Sequence, residues 1–137
     1  GTKQAEHFIN AVGEDLSGRL IPAVEVRLRG LYRLLPPDYY EAADNLADFC
    51  DRIEKQYGVR PVIYCTERTY KNIVASDSRF NKDKIWYESL FSKPDEDMDW
   101  TFWTYTNRVK FSFYESGEYL HMTVFNGSED DFKKLII

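Results

Sequence analysis

The segment from residue 20 to residue 27 constrains the fold of this chain more than any other. It reads Leu-Ile-Pro-Ala-Val-Glu-Val-Arg, and its apolar character predicts a buried β-strand. Side chains two residues apart lie on the same face of a strand, so Glu25 and Arg27 are expected to be neighbours at its C-terminal end. The predicted strand therefore ends by pointing one carboxylate and one guanidinium in the same direction.

Helices are predicted on both sides of this strand. Apolar residues at helical spacing predict a helix over Thr2–Val12 and a longer one that starts near Asp38 and ends at Gly58. Asp38 and Glu41 stand at capping-box spacing at the start of the second helix. Residues 29–37, between the first strand and this helix, are expected to be irregular. Shorter helices are expected after two further capping residues, Thr66 and Ser128.

The other apolar segments predict strands, so that helices and strands alternate over most of the chain. Alternation of this kind is typical of parallel βα units, and it predicts an α/β fold. Residues 100–106 carry aromatic side chains on both faces, which indicates a strand buried on both sides. The predicted strands cover residues 60–65, 84–90, 100–106, 109–114 and 119–125, and the last two form a hairpin about residues 115–118.

Composition excludes several classes of protein. A chain of 137 residues suits one domain, and 43% hydrophobic with 16% aromatic residues is too apolar for a disordered segment. The net charge of −5, with scattered Lys and Arg, argues against a nucleic-acid partner, and no apolar run is long enough to span a membrane. The only histidines are His7 and His121, so no metal-ligand cluster and no cofactor are predicted. Cys50 and Cys65 are expected to be buried free thiols rather than a disulfide.

Five segments, in order along nearly the whole chain, resemble glycoside hydrolase family 25, the lysozyme-like N-acetylmuramidases that cut bacterial peptidoglycan. Residues 4–8 are similar to the helix after the family's middle strand, and residues 100–105 match its Trp-x-x-Trp-Gln-Tyr strand. The other three are residues 22–27 at the family's Pro-x-Val-Asp-x-Glu, residues 57–64 at Tyr-Gly-x-x-Pro-x-Ile-Tyr, and residues 119–127 at x-x-Asp-x-Asn-x-Phe-x-Gly.

The resemblance implies the C-terminal half of a (β/α) TIM-like barrel ending in a β-hairpin. The family barrel has roughly 200 residues, so residues 1–137 are expected to be a single lysozyme-like domain truncated on its N-terminal side. The early strands and the family's first active-site Asp fall outside it. The resemblance also implies a bacterial cell-wall protein in an extracellular or periplasmic location. The sequence shows no signal peptide, but a chain that begins with Gly1 says little on that point.

The chain departs from the family at its acids. The family's Asp-x-Glu pair is Glu25-x-Arg27 here, and its closing Asp and Asn are His121 and Thr123. Glycoside hydrolysis needs a protonated donor and a second carboxylate. Arginine cannot release a proton at ordinary pH, and a cation beside Glu25 favours its charged form. The family often has an Arg where this chain has Glu88, so Arg27 and Glu88 are predicted to form a swapped ion pair.

These departures lead to one main expectation for the function of the chain and to two alternatives. The leading expectation is a degenerate muramidase-like pseudoenzyme that binds peptidoglycan or a related glycan. One alternative is a structural or protein-interaction module, and another is an active glycosidase that combines Glu25 with Glu88 or with a partner chain. His121 is either a proton shuttle or a polar side chain at the barrel mouth. The candidate sugar-binding residues, which are also candidates for core packing, are Tyr64, Trp86, Trp103, Tyr105 and Thr123.

A half-barrel also has exposed sheet edges. Its first and last strands present unpaired backbone groups, and the inner face lacks its opposite wall. We expect a homodimer to cover them. A missing N-terminal half-barrel partner and a rearranged open sheet are the alternatives.

Overall fold

Four parallel strands and one antiparallel strand form the central sheet. The computed structural model describes residues 1–28, 37–113 and 117–137. Within these residues the strands lie side by side in chain order, the first four parallel and the last antiparallel to its neighbour. The strands are β1 (Ala23–Glu25), β2 (Val62–Thr66), β3 (Ile85–Glu88), β4 (Phe102–Val109) and β5 (Leu120–Phe125). The predicted α/β fold is confirmed.

The two long helices begin and end at the residues that the sequence predicts. Helix α1 spans Thr2–Val12 and helix α2 spans Tyr39–Tyr57. The Asp38 carboxylate accepts hydrogen bonds from the backbone N–H groups of Tyr40 and Glu41, which would otherwise lack partners in the first helical turn. Gly58 ends α2 in the left-handed conformation (φ 74°), which glycine adopts without steric cost.

Three shorter helical segments complete the set of described helices. Helix α3 (Glu67–Thr69), capped by the Thr66 side chain, continues into a π-helical turn at Tyr70–Val74. A 3₁₀ turn lies at Ser78–Phe80, and α4 (Glu129–Lys133) is capped by Ser128. Both predicted short helices are therefore present.

The hydrophobic core lies between the helices and one face of the sheet. On that face Ile63, Cys65, Ile85 and Tyr87 pack against the apolar stripe of α2. Cys50 of α2 belongs to the same cluster, and both cysteines are buried and free, as predicted. Burial raises the pKa of each thiol to about 12, so both stay protonated near neutral pH.

Residues near the C-terminus close the N-terminal side of the sheet. Leu20 and Ile136 form an antiparallel bridge, and the Ile21 N–H donates to the Leu135 carbonyl. Phe132 of α4 packs edge-on against Phe102 and Phe125. The edge next to β1 is therefore paired over residues 18–21 by residues 135–137.

The structure corrects three sequence-based expectations. Strand β1 is shorter than residues 20–26, because residues 18–21 pair with the C-terminal residues instead. One strand, β4, lies at Phe102–Val109, with two register shifts against β5, and the second strand predicted at 109–114 is not formed, because residues 110–113 lie outside any strand. The sequence predicted that β4 is buried on both faces, but Tyr105 is 40% exposed. The stretch predicted as irregular, residues 29–37, lies almost entirely outside the described residues, as does part of the predicted turn.

Candidate functional site

Polar side chains gather where the parallel strands end, on the sheet face opposite the helices. Glu25 pairs in register with Tyr64, and Tyr64 with Trp86. One level closer to the C-terminal ends, Thr66 pairs with Glu88, and Glu88 with Thr104. Paired residues in neighbouring strands point to the same face, so these side chains share one surface. In α/β folds, sites form at this edge of the sheet.

Glu25 and Arg27 form an ion pair on this surface. The Arg27 Nε and Nη2 atoms donate to the same oxygen, Oε1 of Glu25, at 2.9 and 2.5 Å. The hydrogen bond to Glu25 raises the pKa of Arg27 above its ordinary value. The pair therefore places one carboxylate and one guanidinium together at the mouth of the site.

The predicted ion pair between Arg27 and Glu88 is not formed. Glu88 accepts a hydrogen bond from the Tyr64 hydroxyl instead. Strand β2 lies between β1 and β3, so Tyr64 stands between the two groups, and Arg27 has a closer carboxylate in Glu25, the last residue of β1. The prediction failed because it matched charges without allowing for the intervening strand.

Tyr64 and Trp86 lie at the centre of the surface. Burial, and then the hydrogen bond to Glu88, raise the pKa of Tyr64, so its hydroxyl remains a donor. Its ring meets the Trp86 ring edge-on at 5.2 Å. Trp86 Nε1 donates to the Thr104 hydroxyl at 2.9 Å, and that hydroxyl lies 2.8 Å from the Thr123 hydroxyl. A continuous polar network thus runs from β3 across β4 to β5.

Two of the predicted sugar-binding residues lie elsewhere. Trp103 packs against the core on the helix face, and its Nε1 donates to the Ser89 carbonyl at 3.0 Å. Its ring lies 5.7 Å from the Tyr105 ring. Trp103 and Tyr105 are therefore not part of this surface, because alternation along β4 turns them away from Thr104.

His121 and Thr123 lie on the far side of the same surface. They are two residues apart on β5, so their side chains point to one face, and the Thr123 hydroxyl contacts Thr104. His121 is exposed. His121 and Thr123 are the two positions on β5 at which the chain departs from the family's Asp and Asn. Both lie on the surface that carries Glu25.

A cleft of about 250 Å³ opens between β1 and β2. Its wall includes Glu25, Arg27, Tyr64 and Glu88, together with two residues not predicted from the sequence, Thr66 and Arg68. One guanidinium nitrogen of Arg68, Nη2, donates to the Tyr39 hydroxyl at 3.2 Å. Thr66 is the last residue of β2 and Arg68 lies two positions after it, and this place at the C-terminal end of a parallel strand is the signal that would have found them.

The described part of the chain contains neither a cluster of metal-binding side chains nor a helix that could span a membrane. Residues 1–28, 37–113 and 117–137 contain no group of three His, Cys, Asp or Glu side chains able to hold a metal ion. No helix in the same residues is both long and apolar enough to cross a bilayer.

Comparisons with known proteins agree with this geometry. The sequence model of the family described as Glycosyl hydrolases family 25 matches residues 1–112. A family 25 glycosyl hydrolase from Bacillus anthracis is 29% identical, with a TM-score of 0.81, and the match covers 98% of this chain and 62% of that one. No match was found among curated proteins.

Two more distant solved structures support the fold alone. A GH25 lysozyme from Aspergillus fumigatus is 18% identical (TM-score 0.72), with 98% of this chain and 65% of that chain covered. A bacterial lysozyme from Streptomyces coelicolor is 23% identical (TM-score 0.73), with 98% and 64% covered. The chain spans less than two thirds of each of these three relatives, consistent with part of a barrel.

Proposed function

The chain belongs to glycosyl hydrolase family 25, and from this premise we propose that it is a lysozyme-like domain that binds peptidoglycan or a related glycan without hydrolysing it. The observation that carries the proposal is the ion pair between Arg27 and Glu25. By the resemblance described above, Arg27 stands where the family has its proton donor. Substrate and activity are proposals for this chain, because it corresponds to only part of its relatives.

The chemistry of hydrolysis lacks its acid at this position. The leaving oxygen must receive a proton from an acid that is neutral before the bond breaks. Arg27 remains a cation at any ordinary pH, and its two hydrogen bonds occupy one oxygen of Glu25. A carboxylate that accepts two hydrogen bonds from a guanidinium can orient a sugar, but the guanidinium beside it cannot replace the missing acid.

The same surface keeps groups that suit a glycan. Carboxylate and guanidinium groups make strong hydrogen bonds to hydroxyl and amide groups, which sugars of peptidoglycan carry. The half-buried rings of Tyr64 and Trp86 provide apolar area beside these charges. Thr123 and the exposed His121 extend the polar surface to β5. These contacts support binding without requiring a reaction.

One observation favours a second candidate, an active glycosidase. Glu88 lines the same cleft as Glu25, so the cleft contains two carboxylates. These two residues do not follow the Asp-x-Glu pattern of the family or its spacing. In this alternative Glu88 would donate the proton and Glu25 would act as the charged partner. The hydrogen bond from Tyr64 counts against it, because the Tyr64 hydroxyl already occupies one of the two Glu88 oxygens that could reach the leaving oxygen of the sugar.

Two measurements on purified protein test the proposal. We expect the protein to be retained on insoluble bacterial peptidoglycan and to leave the turbidity of a cell-wall suspension unchanged. Arg27→Gln is expected to weaken retention about tenfold, since a charge-assisted contact contributes about 1.5 kcal/mol. Arg79→Gln is the matched control, because Arg79 is also exposed and paired with carboxylates but lies on the 3₁₀ turn.

The outcomes separate the three candidate functions. Clearing of the suspension that is lost in Glu88→Gln would establish an active enzyme and overturn the proposal. Neither clearing nor retention would leave the structural or protein-interaction module as the remaining candidate. Equal weakening by Arg27→Gln and Arg79→Gln would show that retention is nonspecific ion exchange.

We also propose that β1 pairs with a second copy of this chain or with an N-terminal half-barrel. Pro22 and Val26 direct their backbone hydrogen bonds to β2. The alternating backbone groups of Ala23 and Glu25 point to the other side, beyond the part covered by residues 135–137. We expect a homodimer by light scattering at micromolar concentration. A monomer would exclude the homodimer and leave the half-barrel as the partner.

A further inference from the structure

The hairpin between β4 and β5 carries exposed aromatic rings beyond the candidate site. The last described register pair of this hairpin joins Val109 to Leu120. Beyond it, Phe113 and Tyr119 are 79% and 57% exposed. Rings this exposed contribute little to the core, so two of them close together on one short hairpin form a candidate contact surface.

Contacts within the hairpin hold these rings in place. The Phe111 and Phe113 rings stack at a centroid distance of 5.0 Å and an angle of 23°. The Lys110 ammonium lies 4.6 Å from the centroid of the Tyr119 ring. Each exposed ring is thus supported on one side by a neighbour from the same hairpin, while much of its surface faces solvent.

The hairpin is continuous with the candidate site. Along β4, Phe102 pairs with Trp86 and Thr104 pairs with Glu88, and the strand then continues to Val109. Val109 lies five residues beyond Thr104, or about 17 Å at the rise of an extended strand. Because β4 is parallel to β3, Phe113 and Tyr119 follow the same C-terminal edge of the sheet at which Glu25 and Glu88 lie.

We propose that Phe113 and Tyr119 form an outer subsite for a glycan strand bound at the Glu25 surface. The C–H faces of pyranose rings are apolar and flat enough to pack on aromatic rings, whereas their hydroxyl groups stay in water. A long polymer can occupy both places at once, and linked contacts strengthen each other through effective concentration. This inference rests on the proposed function and adds a second binding place to it.

The test compares two exposed aromatic positions on purified protein. Phe113→Ala/Tyr119→Ala is expected to weaken retention on insoluble bacterial peptidoglycan about tenfold, a typical effect of truncating aromatic anchors. Tyr40→Ala is the control, since Tyr40 is 88% exposed but begins α2 on the helix side of the sheet. Both variants should keep the wild-type thermal midpoint, because the replaced rings are largely exposed.

Each result decides one of the two proposals or both. Wild-type protein that is not retained would overturn glycan binding and the outer subsite together. Retained wild-type protein with an unaffected double variant would overturn the outer subsite alone. Equal weakening by Tyr40→Ala would also overturn it, because retention would then follow general surface hydrophobicity. A double variant that changes the oligomeric state by light scattering would assign the rings to contact with a second copy instead.

Discussion

Replacing Arg60 with leucine is expected to lower the free energy of unfolding by about 3 kcal/mol. The Asp83 side chain is only 2% exposed, and Arg60 supplies it with two parallel hydrogen bonds, Nε to Oδ1 at 2.6 Å and Nη2 to Oδ2 at 3.1 Å. Leucine would leave this buried carboxylate without its cation. Urea unfolding followed by circular dichroism gives the change directly.

Two companion variants identify the cause of that loss. Arg60→Leu/Asp83→Leu is expected to recover most of the stability, because both charges are then removed. Asp51→Ala is expected to cost less than about 1 kcal/mol, since Asp51 meets the outer side of Arg60 in water. A single variant that unfolds at the wild-type urea concentration would show that water already screens Asp83.

Replacing Ile63 with alanine is expected to lower the free energy of unfolding by about 4 kcal/mol. Ile63 is fully buried at the centre of β2 and belongs to the cluster formed with α2 and β3. Removing three of its carbon atoms leaves a cavity that strands on both sides prevent from collapsing. Thermal and urea unfolding measure the loss, which is a large part of the roughly 5–15 kcal/mol that stabilises a domain.

Smaller and equivalent changes serve as controls for that cavity. Ile63→Val removes one carbon atom and is expected to cost only about 1 kcal/mol. Val124→Ala, at a position on β5 that is 39% exposed, is expected to cost less than the alanine at position 63. Similar losses for Ile63→Ala and Ile63→Val would contradict a cavity as the cause.

Local signals in the sequence predicted the elements of this fold well. Asp38, Gly58, Thr66 and Ser128 cap helices through contacts with residues two to four positions away, which can be recognised without knowing the tertiary structure. The alternation of helices and strands likewise predicted parallel strands, because the order of elements limits the topology.

The failures concern partners that are distant in sequence or chosen by register. The sequence did not indicate that Arg60 binds Asp83, because the two residues come from the starts of different strands. Arg27 was assigned the wrong carboxylate, because the nearer one belongs to Glu25, only two residues before it in the chain. The sequence brought Glu25, Tyr64, Trp86 and Glu88 together as candidates and they do share one surface, but the face on which Trp103 lies could be assigned only from the register of β4.

The bridge between Leu20 and Ile136 has a consequence for the order of folding. Residues 18–21 cannot complete their backbone pairing until residues 135–137 have been synthesised, since these are their partners. Closing a loop that contains nearly the whole chain carries a large entropic cost, so this contact is expected to form late. During synthesis residues 18–21 would therefore lack these backbone partners while α2 and the next strands assemble beside them.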